Sequence, residues 1–314
     1  MNDKVKQTSM TDTVQDHDRV EFEDLALQPE GDHRPPAQRR DEPAFGQYAP
    51  NPVQKVGLAI GRSLPKGRAG LRMAGAARPL ALFGVKDIAD VEALGLKLRL
   101  HPKDNLSEKR LFMTPQCFDP VELAALNAAL KPKSTFIDIG ANAGAYALFA
   151  ARHGGPSVRV IAVEPQGEMR ARMGFNVQAN KLTNVEITGV ALSDYEGESV
   201  MRMIGHNKGG AALSDGQDNR GEAVRVTMLQ TLLDEMKVQT LTAMKIDVEG
   251  GEVQILSPFF AKAPKSRWPR MIILERPALN DLDSGHDALA LCCSKGYRVR
   301  IETRMNAILD LIEG

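Results

Sequence analysis

The chain has 314 residues, 43% hydrophobic and 25% charged, an ordinary composition for a water-soluble globular protein. Its 40 basic and 40 acidic residues cancel, so bulk charge points neither to nucleic acid nor to a membrane, although it leaves local patches open. No apolar run approaches the ~20 residues that span a bilayer. The opening MNDKVKQTSM lacks the apolar centre of a secretory signal, and Cys117, Cys292 and Cys293 lack metal-ligand spacing and read as free thiols. Together these features fit a cytoplasmic protein in a reducing compartment.

Residues 1–52 are rich in Asp, Glu, Gln, Pro and Arg and show no lasting periodicity, so they are expected to form a disordered tail. Residues 53–113 are expected to be a linker and an accessory segment. Lys55, Arg62, Lys66, Arg68, Arg72 and Arg78 make its first part basic, with no acidic residue among them. Such a stretch can meet an anionic surface or be a solvated linker, since Pro65, Gly67 and Gly70 should interrupt any helix. Residues 94–100 alternate as a half-buried strand does. Asp119, Pro120 and Glu122 then suit the capped first turn of a helix.

Residues 114–314 read as one catalytic domain in which strands and helices alternate. Strands are expected at 135–139, 158–163, 185–192, 244–248 and 271–275, and helices at 144–153, 168–180, 229–236, 252–261 and 286–295. Residues 199–204 and 223–228 suit an antiparallel insertion around a glycine-rich loop. Residues 297–302 and 307–311 are separated by too few residues for a parallel crossover and must form a hairpin. The expected fold is α/β and Rossmann-like. Its mostly parallel sheet, closed by an antiparallel C-terminal hairpin, is the topology of a class I methyltransferase.

The segment TFIDIGANAGAYALFAARHG, residues 135–154, joins a buried strand to a helix through a glycine turn. That turn lies at the carboxyl edge of the sheet, where open α/β folds bind ligands. Gly140 permits the bend, Gly144 lets backbone approach a ligand, and the first amides of the helix can hold an anion. A dinucleotide site wants glycine at 140, 142 and 145, whereas the chain has Gly140, Asn142 and Ala145. Asp138 beneath the turn repels a diphosphate and attracts an ammonium. At ~4 Å and an effective dielectric of ~20, the term is about 4 kcal/mol before desolvation. Its sign favours S-adenosylmethionine as cofactor. Glu164, ending the second strand in VEPQ, is placed to accept from ribose hydroxyls, and Asp194, in ALSD, from an adenine amino group.

These segments, IDIGANAGAYAL, VEPQ, VALSD and above all KIDVEGGEVQIL, resemble the FkbM family of methyltransferases over residues 94–311. The resemblance implies S-adenosylmethionine as methyl donor and O-methylation of sugars, glycolipids or polyketide-like molecules. It carries Asp138, Gly140, Asn142, Gly144 and Glu164 onto cofactor positions, and Asp247 and Glu249 onto the signature after the fourth strand. Gly251 stands where alanine is commoner, and nothing before about residue 80 has a counterpart.

A hydroxyl acceptor must lose its proton, and a positioned base contributes ~100- to 10,000-fold. Asp247 is the first candidate, Glu275 faces the same rim, and His206 lies in a loop that can fold over the site. Glu249 either joins them or caps the next helix. Asp247 and Glu275 without a third ligand do not define a metal site. Asp247-Val248-Glu249-Gly250 departs from the Asn/Asp-Pro-Pro-aromatic motif of enzymes that methylate adenine. With few aromatic residues to stack bases, no nucleic-acid partner is expected. The alternatives are a dehydrogenase using NAD, which would bind NAD in place of S-adenosylmethionine, and a non-catalytic scaffold that binds an adenosine cofactor. Oligomeric state is not legible.

Overall fold

The computed structural model describes residues 42–203, 211–213, 221–276 and 287–312. It opens with helices α1 (Pro52–Ser63) and α2 (Arg68–Ala81), strands β1 (Ala89–Ala93) and β2 (Leu96–Leu100), and helices α3 (Leu106–Met113) and α4 (Pro120–Ala129). There follow β3 (Thr135–Ile139), α5 (Ala145–Gly154), β4 (Arg159–Val163), α6 (Gly167–Ala179) and β5 (Val185–Thr188). Strands β6 (Ala191–Ser193), β7 (Gly197–Met203), β8 (Ala211–Leu213) and β9 (Glu222–Met228) form the insertion, and α7 (Leu229–Glu235) leads back. The chain closes with β10 (Ala243–Ile246), α8 (Glu252–Lys262), β11 (Met271–Glu275), α9 (Ala288–Ser294), β12 (Tyr297–Glu302) and β13 (Asn306–Leu311).

Among the described residues the main sheet runs β12-β13-β11-β10-β3-β4-β5. Its first five strands in sequence, β3, β4, β5, β10 and β11, are parallel, and β13 runs antiparallel to both β11 and β12. This is the expected α/β fold, a mostly parallel sheet with an antiparallel closing hairpin, and it resembles the class I methyltransferase topology. Successive strands step outward from β3 in one direction through β4 and β5, and in the other through β10 and β11. The gap between β3 and β10 is therefore the topological switch point, where such sheets open a crevice.

The parallel strands are apolar on both faces, as burial between two helical layers demands. Phe136, Val160, Ala243 and Ile273 belong to one hydrophobic core, and Ile137, Ile161, Met244 and Ile272 to the other. Charged residues break this pattern at the carboxyl edge of the three central strands, where Asp138, Lys245 and Glu275 take the parity of the first face. Asp138 and Lys245 are register partners across β3 and β10.

Two expectations change. The strand foreseen at 185–192 is split, because β6 leaves the main sheet and pairs in parallel with β9 in a separate four-stranded sheet. Gly189, over which the Arg170 guanidinium lies so closely that a Cβ would come within 2.8 Å, marks the break. The N-terminal part is also more ordered than its composition implies. Residues 1–41 of the expected tail lie outside the described residues, but residues 42–52 are fastened to β1 and β2: Gly46 and Tyr48 N–H donate to Asp90 Oδ2, and the buried Arg99 donates to the Pro43 and Ala44 carbonyls.

Residues 53–81 are not a linker but two helices. Asn51 and Gln54 form a reciprocal capping box on α1. Pro65 and Gly67, expected to prevent a helix, make the corner between α1 and α2, and a Cβ on Gly70 would fall 1.8 Å from the Pro65 carbonyl oxygen. These helices, β1, β2 and α3 share one hydrophobic core with the first face of the sheet, through Leu58, Ala81, Leu98, Leu111 and Phe136. The accessory segment is thus continuous with the domain that carries the main sheet.

Gly140 closes the switch point, with φ at +76° and a position where a Cβ would lie 1.8 Å from the Asp247 carbonyl oxygen. Gly140→Ala is expected to cost about 2–4 kcal/mol, combining left-handed strain with overpacking. Urea unfolding measures this, and an unchanged midpoint would mean that the ends of β3 and β10 are not pressed together.

Candidate functional site

A cavity of about 690 Å³ opens at the switch point. Its floor is the turn Gly140–Ala143, and its walls come from the ends of β4, β6, β10 and β11 and from α3. Asp138, Glu164, Asp247 and Glu275 all line it, so the structure brings these expected site residues together.

Asp138 is buried. Its Oδ2 accepts from the Ala147 N–H at 3.0 Å, while Oδ1 has no hydrogen-bond partner. Burial pushes its carboxyl up to about 6, against the pull of the Lys245 ammonium and the Ala147 amide. It is therefore ionised in neutral solution, with one unanswered acceptor. Such an atom is costly to leave unpaired, and a ligand cation is the partner that would answer it.

Glu164 accepts from the Asn142 and Gln166 amides at 2.7 and 2.9 Å, one on each oxygen, which fixes its carboxylate at the end of β4. Burial pushes it up to about 7. Each oxygen keeps lone-pair capacity for a ligand hydroxyl. Asn142 holds the turn itself: it adopts φ +52°, and its Oδ1 accepts from Ala143 N–H and from Asn105 Nδ2.

Two expected cofactor residues have other placements. Gly144 is not in the lining. It precedes α5 with φ +86°, and a Cβ would strike Leu148 and Met173 within 2.6 Å, so packing requires glycine there. Asp194 is exposed, accepts from Ser193 Oγ, and lies outside the lining, which Ser193 and Tyr195 join instead. The segment that carries it still walls the cavity, but it does so from β6, which has left the main sheet to pair with β9.

The opposite side of the cavity is organised by Lys245, a buried lysine that sequence reasoning missed. Its Nζ donates to Asp247 Oδ2 at 2.8 Å and lies 5.1 Å from the Tyr146 ring centroid. Burial alone would lower its pKa, but the charges of Asp247 and Asp138 outweigh burial and hold the ammonium in place. Asp247 is likewise disfavoured by burial, yet Lys245 and a hydrogen bond from Glu275 keep it below the usual carboxylate range. Glu275 goes the other way: burial and its bond to ionised Asp247 push it up to about 9. Glu275 is thus neutral at pH 7 and donates to Asp247. It is not a base.

Asp119, expected to cap α4, makes no capping bond. It sits at φ +39° and accepts from Tyr146 Oη at 2.9 Å on the cavity wall. Glu122, the expected second half of that cap, accepts from Thr303 Oγ1 and Asn306 Nδ2, tying α4 to the final hairpin. The helix after β10 is steadied by Glu252, which accepts from the Val248 and Gly250 amides. Glu249 therefore does not cap. It lines the cavity in a left-handed conformation, φ +56°.

His206 lies outside the described residues. Among the described residues no three His, Cys, Asp or Glu side chains form a metal-binding group. The wall from α3 was also not foreseen. It is held by Asn105, which reaches Asn142 at 2.8 Å, and by the buried Glu108, which accepts from Arg172 at 2.6 Å.

The family model described as Vibrio cholerae RfbT protein matches residues 98–272. It is not the FkbM family that the motifs resemble. No curated protein matches the chain. Similar solved structures include the precorrin-6y C5,15-methyltransferase of Geobacter metallireducens, at 14% identity and TM-score 0.39, covering 60% of this chain and 86% of that one. TYW2 of M. jannaschii in complex with AdoMet is 12% identical over 74% of this chain and 90% of its own, with TM-score 0.39. A SAM-dependent methyltransferase of Aquifex aeolicus is 15% identical over 67% and 95%, with TM-score 0.39.

Glu164 and Glu108, both raised to about 7 by burial, bind a proton more tightly when folded than when unfolded. Their contribution to stability is complete below the unfolded pKa and is lost as pH rises through the folded one. The unfolding free energy of the ligand-free protein is expected to fall between about pH 5 and 7.5, with Glu164 supplying on the order of 3 kcal/mol. Glu164→Gln should flatten that slope in urea titrations at stepped pH. A wild-type curve that rises over this window would contradict the assignment.

Proposed function

The chain belongs to the family described as Vibrio cholerae RfbT protein, and within that family we propose that it is an S-adenosylmethionine-dependent methyltransferase acting on a hydroxyl oxygen. The acceptor class is a sugar, a glycolipid or a polyketide-like metabolite, as the FkbM-like motifs imply. The observation that carries the cofactor is Asp138 Oδ1, a buried acceptor without a partner under a glycine turn. An amino-acid ammonium satisfies it, whereas the diphosphate of a dinucleotide would meet a negative charge.

Asp138 and the Gly140–Ala143 turn would hold the amino-acid end, and Glu164 the ribose hydroxyls. Val163, Val190 and Leu192 offer apolar walls for the base. Bound there, S-adenosylmethionine supplies an electrophilic methyl group on a sulfonium. The residues of the Lys245 side then serve the acceptor. Lys245 and Glu275 keep Asp247 ionised, so its carboxylate is ready to accept a hydrogen bond from a hydroxyl and to take its proton. The low basicity that this pairing imposes is sufficient, because an alkylated hydroxyl oxygen is a strong acid. Glu249, Asn306 and Tyr146 border the same space and orient what enters it.

Labelled methyl transfer to a panel of hydroxylated acceptors tests the proposal. Asp247→Asn is expected to lower kcat by about 100-fold or more. Glu275→Gln should stay within a few-fold of wild type, because the native side chain is already neutral. His206→Ala separates the second candidate base from the first. Undiminished turnover in Asp247→Asn would remove Asp247 as the base, and transfer only to nitrogen or carbon acceptors would overturn O-methylation.

A further inference from the structure

The proposed reaction makes no use of the basic N-terminal helices. Between Glu42 and Asp87 the chain carries seven Lys or Arg residues and no acidic one. Arg62 is occupied within the fold, donating to the Glu92 and Phe112 carbonyls at 2.9 and 3.1 Å. Lys55, Lys66, Arg72 and Arg78 are exposed, and none pairs with a carboxylate among the described residues. In a protein whose total charge is zero, this is a concentrated local excess.

The same surface is apolar. On α1, Gln54, Gly57, Leu58 and Gly61 face inward, yet the outward side carries Val53, Val56 and Ile60. On α2 the exposed Met73 and Leu80 precede Phe83 beyond its end. Phe83 is 61% exposed, and Val56 and Met73 are each 55% exposed. A helix that only packs on a protein core puts polar residues outward. These two put cations and large apolar side chains there, which is the composition of a helix lying in a bilayer interface. A Cβ on Gly57 would come within 2.3 Å of the Ala81 backbone, so α1 and α2 form one closely packed plate. Among the described residues no helix is long and apolar enough to cross a membrane, so the plate would lie on a bilayer and not span it.

We propose that α1 and α2 form a docking surface for an anionic lipid bilayer, with Val56, Met73 and Phe83 entering the acyl boundary and the exposed Lys and Arg meeting lipid phosphates. Charge selects this occupant. A second copy of the same plate would bring cations against cations. An RNA would want stacking rings and hydrogen-bonding side chains, and the plate presents one ring among aliphatic residues. The plate is also fixed to the candidate site: Gln116 Nε2 donates to the Gly61 and Leu64 carbonyls, and the cavity wall at Phe118 and Asp119 follows directly. Docking would therefore hold the cavity beside the lipid surface. The inference does not depend on methyl transfer, since its test measures no turnover.

The test is co-sedimentation of the full chain with vesicles of phosphatidylcholine alone and of phosphatidylcholine with phosphatidylglycerol. Binding is expected to the mixed vesicles, and at most weakly to the neutral ones, and to weaken with salt. Each basic side chain near the surface contributes about five-fold, so Lys66→Gln with Arg72→Gln should reduce partitioning by about twenty-five-fold. Val56→Ser with Phe83→Ser should reduce it further, with far-ultraviolet dichroism and thermal midpoint unchanged. Absence of wild-type binding to the mixed vesicles would overturn the proposal. So would equal binding to neutral vesicles, or undiminished binding by folded variants. Self-association abolished by Val56→Ser with Phe83→Ser, or displacement of the protein from vesicles by RNA, would reassign the surface.

Discussion

A single ammonium group organises the polar half of this molecule. Lys245 Nζ lies buried at the carboxyl edge of the sheet, bonded to Asp247 and in the field of Asp138, its register partner on the neighbouring strand. Two carboxylates this close in a low-dielectric site would repel each other and take up protons. The shared cation lets both stay ionised, and Glu275 relieves the remaining crowding by staying protonated and donating to Asp247. The cavity thus holds two negative groups in different settings: Asp138 beneath the glycine turn with an unpartnered oxygen, and Asp247 bonded to Lys245.

Backbone constraint and charge meet at the same point. Gly140 lets the β3 turn pass against the Asp247 carbonyl, and a side chain there would push the two strand ends apart. The positions of Asp138 and Asp247 are therefore set by backbone contact as well as by Lys245. Around them the N-terminal elements complete the enclosure. The α3 wall is joined to the turn through Asn105 and Asn142 and to α6 through Glu108 and Arg172, so the walls are locked to the sheet by buried polar pairs.

Much of the fold was legible in the sequence because parallel strands buried on both faces read as apolar runs, and helices between them carry their own period. The bend at IDIGANAG and the closing hairpin followed from glycine positions and loop length. What escaped depended on distant partners. Lys245 looks like an interruption of a strand until the register sets Asp138 beside it. Asp119 and Glu122 match a capping pattern, but their partners are Tyr146 and, for Glu122, Thr303, 181 residues away. Gly70 reads as a helix breaker and Gly144 as a ligand contact, whereas each lies where a Cβ would meet a neighbouring segment. Glycine marks close approach without saying to what. Asp194 follows β6, which leaves the main sheet at a break that Gly189 and Arg170 make together, and it lies exposed between Ser193 and Tyr195 of the cavity lining.

The central claim is that Asp138 holds the ammonium of an amino-acid cofactor. The most direct measurement is a calorimetric cycle: S-adenosylhomocysteine and its analogue lacking the amino group, each titrated into wild type and Asp138→Asn. Removing the amino group is expected to weaken binding to wild type by roughly ten- to a hundred-fold and binding to the variant far less. An equal loss in both proteins would contradict it.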